Sequence, residues 1–258
     1  MSRQNLRQLI IILSFLLFPI TLYYFSPYLI IQGALEGIVV GSCIVFISMF
    51  VASLFFGRAF CGWLCPAGGV QECLKAVSSK NAKSGRLNWI KYFIWTPWVI
   101  SIILIFIKVG GVKEISFFYQ TQYGISVTTI QSVVIYYGVL TLIVATALLT
   151  GKRGFCHYLC WMAPFMIIGT KIREKVKLPA LHLEAEGDKC ISCKKCSIKC
   201  PMSLNVNEMA LKKNMKNSEC ILCGECVDVC PKNVIKYKIK EDKGSKKIAN
   251  QISEKMEH

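Results

Sequence analysis

The chain has 258 residues, a formal net charge of +16 and 53% hydrophobic residues, and its mean hydropathy of +0.46 is high for a soluble protein. Its fourteen cysteines include two tight runs of metal-ligand type, which argues against the disulfide framework of a small secreted domain. The basic surplus lies mainly in the apolar first two thirds and forms no dense patch interleaved with aromatics, so nucleic acid is excluded as a partner.

Four apolar segments are predicted to cross a membrane, against a requirement of roughly 20 residues. They are Leu9 to Phe25, Ile38 to Phe56, Trp89 to Ile107 and Ile130 to Thr150. The first is short and is expected to extend into its neighbours. Arg3 and Arg7 before it resemble the start of a signal peptide, but no small-residue cleavage site follows Tyr23-Tyr24-Phe25, so it is expected as a retained helix. Pro19 and Pro97 are expected to kink their helices. Phe155 to Ile168 is too short to span and is expected at the interface.

Loop charge sets the orientation. Arg3 and Arg7 precede the first span. Arg58, Lys75, Lys80, Lys83 and Arg86 follow the second, and Lys152, Arg153, Lys171, Arg173, Lys175 and Lys177 follow the fourth. The two other connections are poor in charge. The positive-inside rule then gives a multi-pass protein of the cell (inner) membrane with both termini in the cytoplasm.

From about Leu178 the chain turns polar. The fold class expected is mainly α, a polytopic membrane protein of four transmembrane helices with a C-terminal α+β ferredoxin domain of the two-cluster bacterial type. Residues 1–177 form the membrane domain, 178–240 the ferredoxin domain, and 241–258 a charged tail expected to be disordered.

Cys190, Cys193, Cys196 and Cys200 are followed at once by Pro201, and the same spacing returns at Cys220, Cys223, Cys226, Cys230 and Pro231. A [4Fe–4S] cluster needs four thiolates around a cube. Two-residue spacers let a turning backbone supply three of them, and in two-cluster ferredoxins the last cysteine of each run ligates the other cluster. One cluster is therefore assigned to Cys190, Cys193, Cys196 and Cys230, and the second to Cys220, Cys223, Cys226 and Cys200. Zinc sites are the alternative, but zinc takes well-separated pairs of ligands rather than runs of four.

A second repeat lies in the apolar part. Arg58-Ala-Phe-Cys61-Gly-Trp-Leu-Cys65 matches Arg153-Gly-Phe-Cys156-His-Tyr-Leu-Cys160 at Arg, Phe, Cys, Leu and Cys. Each copy follows an even-numbered span, so each duplicated unit is two helices plus a Cys-x-x-x-Cys element. The spacer sets both sulfurs about one helical turn apart. Cys61, Cys65, Cys156 and Cys160 are candidate metal ligands, soft donors suited to iron–sulfur, zinc or copper(I), with a redox disulfide within each pair or inert packing as the alternatives. His157 and Met162 are weighed as extra ligands against plain packing. Cys43 and Cys73 read as small apolar residues.

Gly57-Arg-Ala-Phe-Cys61-Gly-Trp-Leu-Cys65-Pro66 together with the tandem C-terminal cysteine runs resembles the membrane polyferredoxin family, over most of residues 1–240. That family includes the NapH-type subunit of periplasmic nitrate-reduction systems and the C-terminal half of the NosR-type protein of nitrous oxide reduction. The resemblance implies a four-helix membrane core with two Cys-x-x-x-Cys-Pro elements, two cytoplasmic [4Fe–4S] clusters, and electron movement between the quinone pool or cytoplasm and a redox partner protein. The second element departs from the pattern, with Trp161 where the proline belongs.

The function expected is membrane-anchored electron transfer. A redox sensor, or a maturation or metal-handling protein using the four membrane-face cysteines, is the alternative. A quinol site among the helices is weighed at Phe117, Phe118, Tyr119 and Tyr123 against an interfacial aromatic belt. No nucleophile elbow, phosphate-binding glycine loop or paired carboxylates appear, so the chain reads as a non-catalytic subunit of an oxidoreductase system. Glu36 reads as the most buried acid of the apolar part.

Overall fold

The structure is a computed structural model, and it describes residues 2–77, 80–82, 85–176 and 178–239. The tail expected over 241–258 lies outside the described residues, as do Lys83 and Lys177.

Helix α1 (Arg3–Leu16) starts at Ser2, whose hydroxyl accepts the Asn5 N–H at 3.3 Å. It is followed by α2 (Phe18–Thr21) and a tight 3-10 turn, Leu22–Phe25, and the two parts of this segment meet at 58°. The expected first span is thus broken at Leu17, just before Pro19. Helix α3 (Pro27–Glu36) then starts on a Ser26 cap with proline in its first turn and ends on Gly37, left-handed at φ 77°. The β-branched run β1 (Ile38–Val40) pairs in parallel with β2 (Glu114–Ser116), Val39 opposite Ile115. Helix α4 (Gly41–Phe56) therefore begins later than the apolar run does, and its 16 residues fall short of a full crossing.

Two short helices follow, α5 (Ala59–Trp63) and α6 (Pro66–Cys73). Helix α7 (Ile90–Val109) extends a 3-10 turn to give the apolar stretch Leu87–Val109, with Pro97 inside it. Helix α8 (Ile130–Thr150) opens with a capping box between Thr129 and Ser132. These two helices are long and apolar enough to cross a membrane. The bent segment makes a third if it counts as one span. Phe93 is 84% exposed and Ile130 87%, the surface that lipid would cover.

After α8 come α9 (Gly154–Tyr158) and α10 (Ala163–Val176). The series α4–α5–α6 is thus repeated as α8–α9–α10. The repeat extends to single hydrogen bonds: Cys65 N–H donates to Phe60 O at 3.0 Å, and Cys160 N–H to Phe155 O at 3.0 Å. The stretch expected at the interface is instead buried, with Phe155, Met166 and Ile167 in the core and α10 packed along α4.

In the C-terminal part, β3 (His182–Ala185) pairs antiparallel with β4 (Ile235–Lys238), Leu183 opposite Tyr237. Short helices α11 (Lys195–Lys199), α12 (Val206–Leu211) and α13 (Glu225–Asp228) lie between. This part rests on one end of the helical part. Arg3 pairs with Asp228, Leu181 N–H donates to Phe55 O at 2.9 Å, and Lys152 Nζ donates to Ile198 O at 3.1 Å.

Candidate iron–sulfur sites

The two C-terminal cysteine runs fold alike. Ser192 and Lys194 in the first run, and Leu222 and Gly224 in the second, all have positive φ, as do Ser203 and Asn233 after the last cysteines. Left-handed residues at matching positions turn each loop so that its thiols point inward. A side chain other than glycine adopts that conformation at some cost, a cost borne here for the sake of the loop's shape.

Two cavities result. Cys190, Cys193, Cys196 and Cys230 line one, and Cys200, Cys220, Cys223 and Cys226 line the other. The last cysteine of each run thus sits with the first three of the other. The remaining lining is mostly apolar, including Met202 and Ile221 around the second cavity and Val234 and Ile235 around the first. Backbone N–H groups approach the sulfurs, with Val234 N–H 3.4 Å from Cys230 Sγ. Burial pushes Cys220 up to about 11 and Cys223 up to about 12, against backbone N–H groups of Leu222 and Glu225 that lower them. Four thiols in an apolar cavity with amide donors fit a multi-iron cluster, whose irons take up the charge that burial disfavours.

The four cysteines of the helical repeat are buried, each 2–3% exposed. Burial first, then Cys156 and Cys61, pushes Cys160 up to about 12. Burial, then Cys61, Cys156 and Cys160, raises Cys65 far above the ordinary thiol range. All four therefore lie within one another's field. Gln71 Nε2 is 3.2 Å from Cys156 Sγ, and Met166 Sδ is 3.9 Å from Cys61 Sγ. Among the described residues, no three His, Cys, Asp or Glu side chains converge tightly enough to hold a single ion. His157 is fully buried with both ring nitrogens unpartnered, and burial holds it near 4, so the ring is neutral at pH 7. Met162 is buried in the core, Cys43 is half-buried, and Cys73 is exposed.

Sequence reasoning missed the charge network between these sites. Arg7 donates to Glu72 at 2.7 Å and to Glu225 at 3.1 Å, and Arg153 donates to Glu72 at 3.0 Å. Arg58 and Lys91 each meet Glu219 at 2.6 Å. Burial would raise both acids, but Arg153 and Arg7 bring Glu72 down to about 2, and Arg58 and Lys91 do the same for Glu219. Glu72, Glu219 and Glu225 are the acids of this network withdrawn from water. Glu36 is exposed and accepts the Tyr119 hydroxyl at 2.9 Å, so the expectation that it was the most buried acid fails. Of the outer-loop aromatics, Phe117, Phe118 and Tyr123 are exposed and Tyr119 is half-buried; Phe117 and Tyr119 border a small cavity with Tyr23, Tyr24 and Ser42.

Two family models match the chain. One, a 4Fe-4S binding domain, matches twice, over residues 39–84 and 133–179, which are the two helical repeats. The other, a 4Fe-4S dicluster domain, matches residues 182–249. The chain thus carries iron–sulfur binding domains joined to apolar helices of membrane-spanning length. Among curated proteins it is similar to the "Putative electron transport protein YccM" of Escherichia coli K12, 23% identical over 198 residues, covering 70% of this chain and 52% of that protein. It is also similar to two proteins of Methanocaldococcus jannaschii named as uncharacterized. One is 26% identical over 169 residues, covering 61% of this chain and 64% of that protein. The other is 25% identical over 191 residues, covering 70% and 68%. The chain thus spans about half the length of the Escherichia coli relative. No solved structure matches.

Proposed function

We propose that this is a membrane-anchored iron–sulfur electron-transfer protein that passes electrons between a quinone pool or cytoplasmic donor and a partner redox enzyme. Residues 1–177 act as the membrane domain and 178–240 as a ferredoxin domain on its cytoplasmic side. The observation that carries the reading is the crossed sorting of eight cysteines into two apolar cavities. Cys190, Cys193, Cys196 and Cys230 hold one [4Fe–4S] cluster, and Cys200, Cys220, Cys223 and Cys226 hold the other. Such clusters supply one-electron exchange at potentials set by burial, charge and hydrogen bonds to sulfur.

The chain's own residues do the rest. The left-handed loop positions aim the thiols, the apolar lining excludes water, and the amide donors favour the thiolate form. Glu219 and Glu225 fasten the ferredoxin domain to Arg58, Lys91, Arg7 and Lys75 of the membrane domain, so the second site is held against the helical repeats. The membrane-face cysteines take a redox role in this reading, as a further metal centre or as disulfides. The name of the Escherichia coli relative supports electron transport, and the motif resemblance to NapH- and NosR-type proteins supports a quinone-linked partner system.

The test is anaerobic purification of the full chain in detergent, with iron and sulfide counted and EPR spectra recorded after stepwise reduction. About eight irons per chain and two magnetically interacting cubane signals are expected, four irons belonging to each cluster. Iron-poor, EPR-silent protein would refute the reading.

A further inference from the structure

We propose that the open face of the Cys190, Cys193, Cys196 and Cys230 site is a docking surface for a small acidic redox protein, a soluble one-electron carrier with carboxylates around its own centre. The proposal rests on the electron-transfer reading above and names the kind of partner and the face it uses.

The first observation is an asymmetry between the two cysteine cavities. The second is closed off by the helical part. Gly62 lies so close to its loop that a Cβ there would sit 2.4 Å from Ile221 O and 3.5 Å from Cys223 Cα. Trp63 Nε1 donates to Leu222 O at 3.1 Å, and Glu219 and Glu225, on either side of the loop, are held by Arg58 and Arg7. Cys223 and Cys226 are buried. The first cavity is open. Cys193 is exposed, Ile191 is 58% exposed, and Pro231 and Lys232 on the other edge are exposed too. Among the described residues, the loop from Cys190 to Lys195 makes no hydrogen bond or ion pair to the helical part. Contacts with the helices fall mainly on Leu181, Ile198 and the stretch from Glu219 to Asp228, which leaves that loop to the aqueous side. A soluble protein therefore meets the first site and not the second.

The second observation is charge. Lys195 and Lys232 line the first cavity, one beside each cysteine run, and no carboxylate lines it. Lys194 precedes Lys195 and Lys199 ends the same helix, and all four lysines are exposed. Among the described residues, none of the four is paired with an acid. Other lysines of this part are paired: Lys189 and Lys236 with Glu186, Lys212 with Glu208, Lys213 with Asp188. Uncompensated cations around a cavity mouth repel basic proteins and steer acidic ones toward it.

The third is the scale of the contact. Ile191 offers one apolar side chain among lysines. Electron-transfer encounters bury less than about 1,200 Å² and must release as readily as they form, and a lone apolar contact within a charged rim suits them. Docking there passes one electron from one protein to the other, with no bond made or broken.

The test uses the full chain in neutral detergent, purified anaerobically and checked for both cubane signals. An acidic bacterial ferredoxin is the titrant in calorimetry. Binding is expected at about 0.01 M ionic strength and is expected to weaken about tenfold by 0.15 M, as the screening length falls from about 30 Å to about 8 Å. Lys195→Glu and Lys232→Glu, made separately so that a folding failure in one leaves the other informative, are each expected to weaken low-salt binding about tenfold and to flatten its salt dependence. Ile191→Ala is expected to weaken binding with the salt dependence unchanged. Lys108→Glu, at the far end of α7, is the control and should change neither. Carbodiimide cross-linking is expected to join Lys195 or Lys232 to ferredoxin carboxylates. No binding by protein that shows both signals, binding indifferent to both lysine variants, or cross-links confined to other lysines would each overturn the proposal and leave the clusters standing. So would protection of Lys195 and Lys232 from an amine reagent in phosphatidylglycerol bilayers but not in phosphatidylcholine, which would give the face to lipid. Absence of the cubane signals would instead sink the reading on which the proposal rests.

Discussion

Arg153 of the second helical repeat donates to Glu72 of the first, Nη2 to Oε2 at 3.0 Å, with both side chains almost wholly buried. The same carboxylate accepts from Arg7 of α1 at 2.7 Å. One acid thus ties together the N-terminal helix and both repeats. Gly68 makes room for it, since a Cβ there would sit 2.5 Å from Arg153 Nη1. Glu72→Gln leaves two buried guanidinium groups short of their counter-charge, and losses of about 3–5 kcal/mol accompany such breaks. Thermal unfolding in detergent, followed by tryptophan fluorescence, is expected to show a markedly lower Tm.

The same pair predicts a pH dependence. The folded-state carboxyl is held at about 2, below the unfolded value near 4.3. Burial opposes this, and Arg153 and Arg7 prevail. A depressed carboxyl contributes stability that is complete above the unfolded pKa and is lost as pH falls through the folded one. The difference in Tm between wild type and Glu72→Gln is therefore expected to hold steady from pH 7 to about 5 and to narrow as pH falls from 4.5 toward 2.

Gly62→Ala drives a methyl group into Ile221 O. Overpacking of this kind costs about 1–3 kcal/mol, and here it should loosen the ferredoxin part from the membrane part. Limited proteolysis between residues 177 and 182 is expected to accelerate. Gly138→Ala on α8, where no atom lies within 4 Å, is the control and should change nothing.

The crossing of ligands is separable by mutation. Cys200→Ala is expected to abolish the same EPR signal as Cys220→Ala, and Cys230→Ala the same signal as Cys190→Ala, because the cavities group them so. Loss of one signal by both Cys190→Ala and Cys200→Ala would contradict the assignment.

Sidedness is also testable. Tyr123, between α7 and α8, is fully exposed, and Leu211 on the ferredoxin part is 46% exposed. Single cysteines placed there in membrane vesicles are expected to react with an impermeant thiol reagent from opposite sides. Labelling of both from one side would refute the membrane topology.

The parts legible in the sequence are those set by local spacing. The runs from Cys190 and Cys220 fix loop geometry within a dozen residues. The duplication was visible because Arg58 and Arg153, with their cysteines, keep one spacing. The breaks were harder to see. Ile38–Val40 is apolar enough to belong to the span after it and leaves the helix only because Glu114–Ser116, far along the chain, offers strand partners. Ser26-Pro27 signalled the start of α3 and passed unread. Glu72 and Glu219 looked like ordinary surface acids, since their partners Arg153, Arg7, Arg58 and Lys91 are brought to them only by folding.

The most direct measurement is the iron and acid-labile sulfide content of oxygen-free full-length protein, read together with its EPR spectrum after dithionite reduction. The account predicts brown protein with at least about eight irons per chain and two coupled cubane signals. Colourless protein with its cysteines free, or with zinc in place of iron, would contradict it.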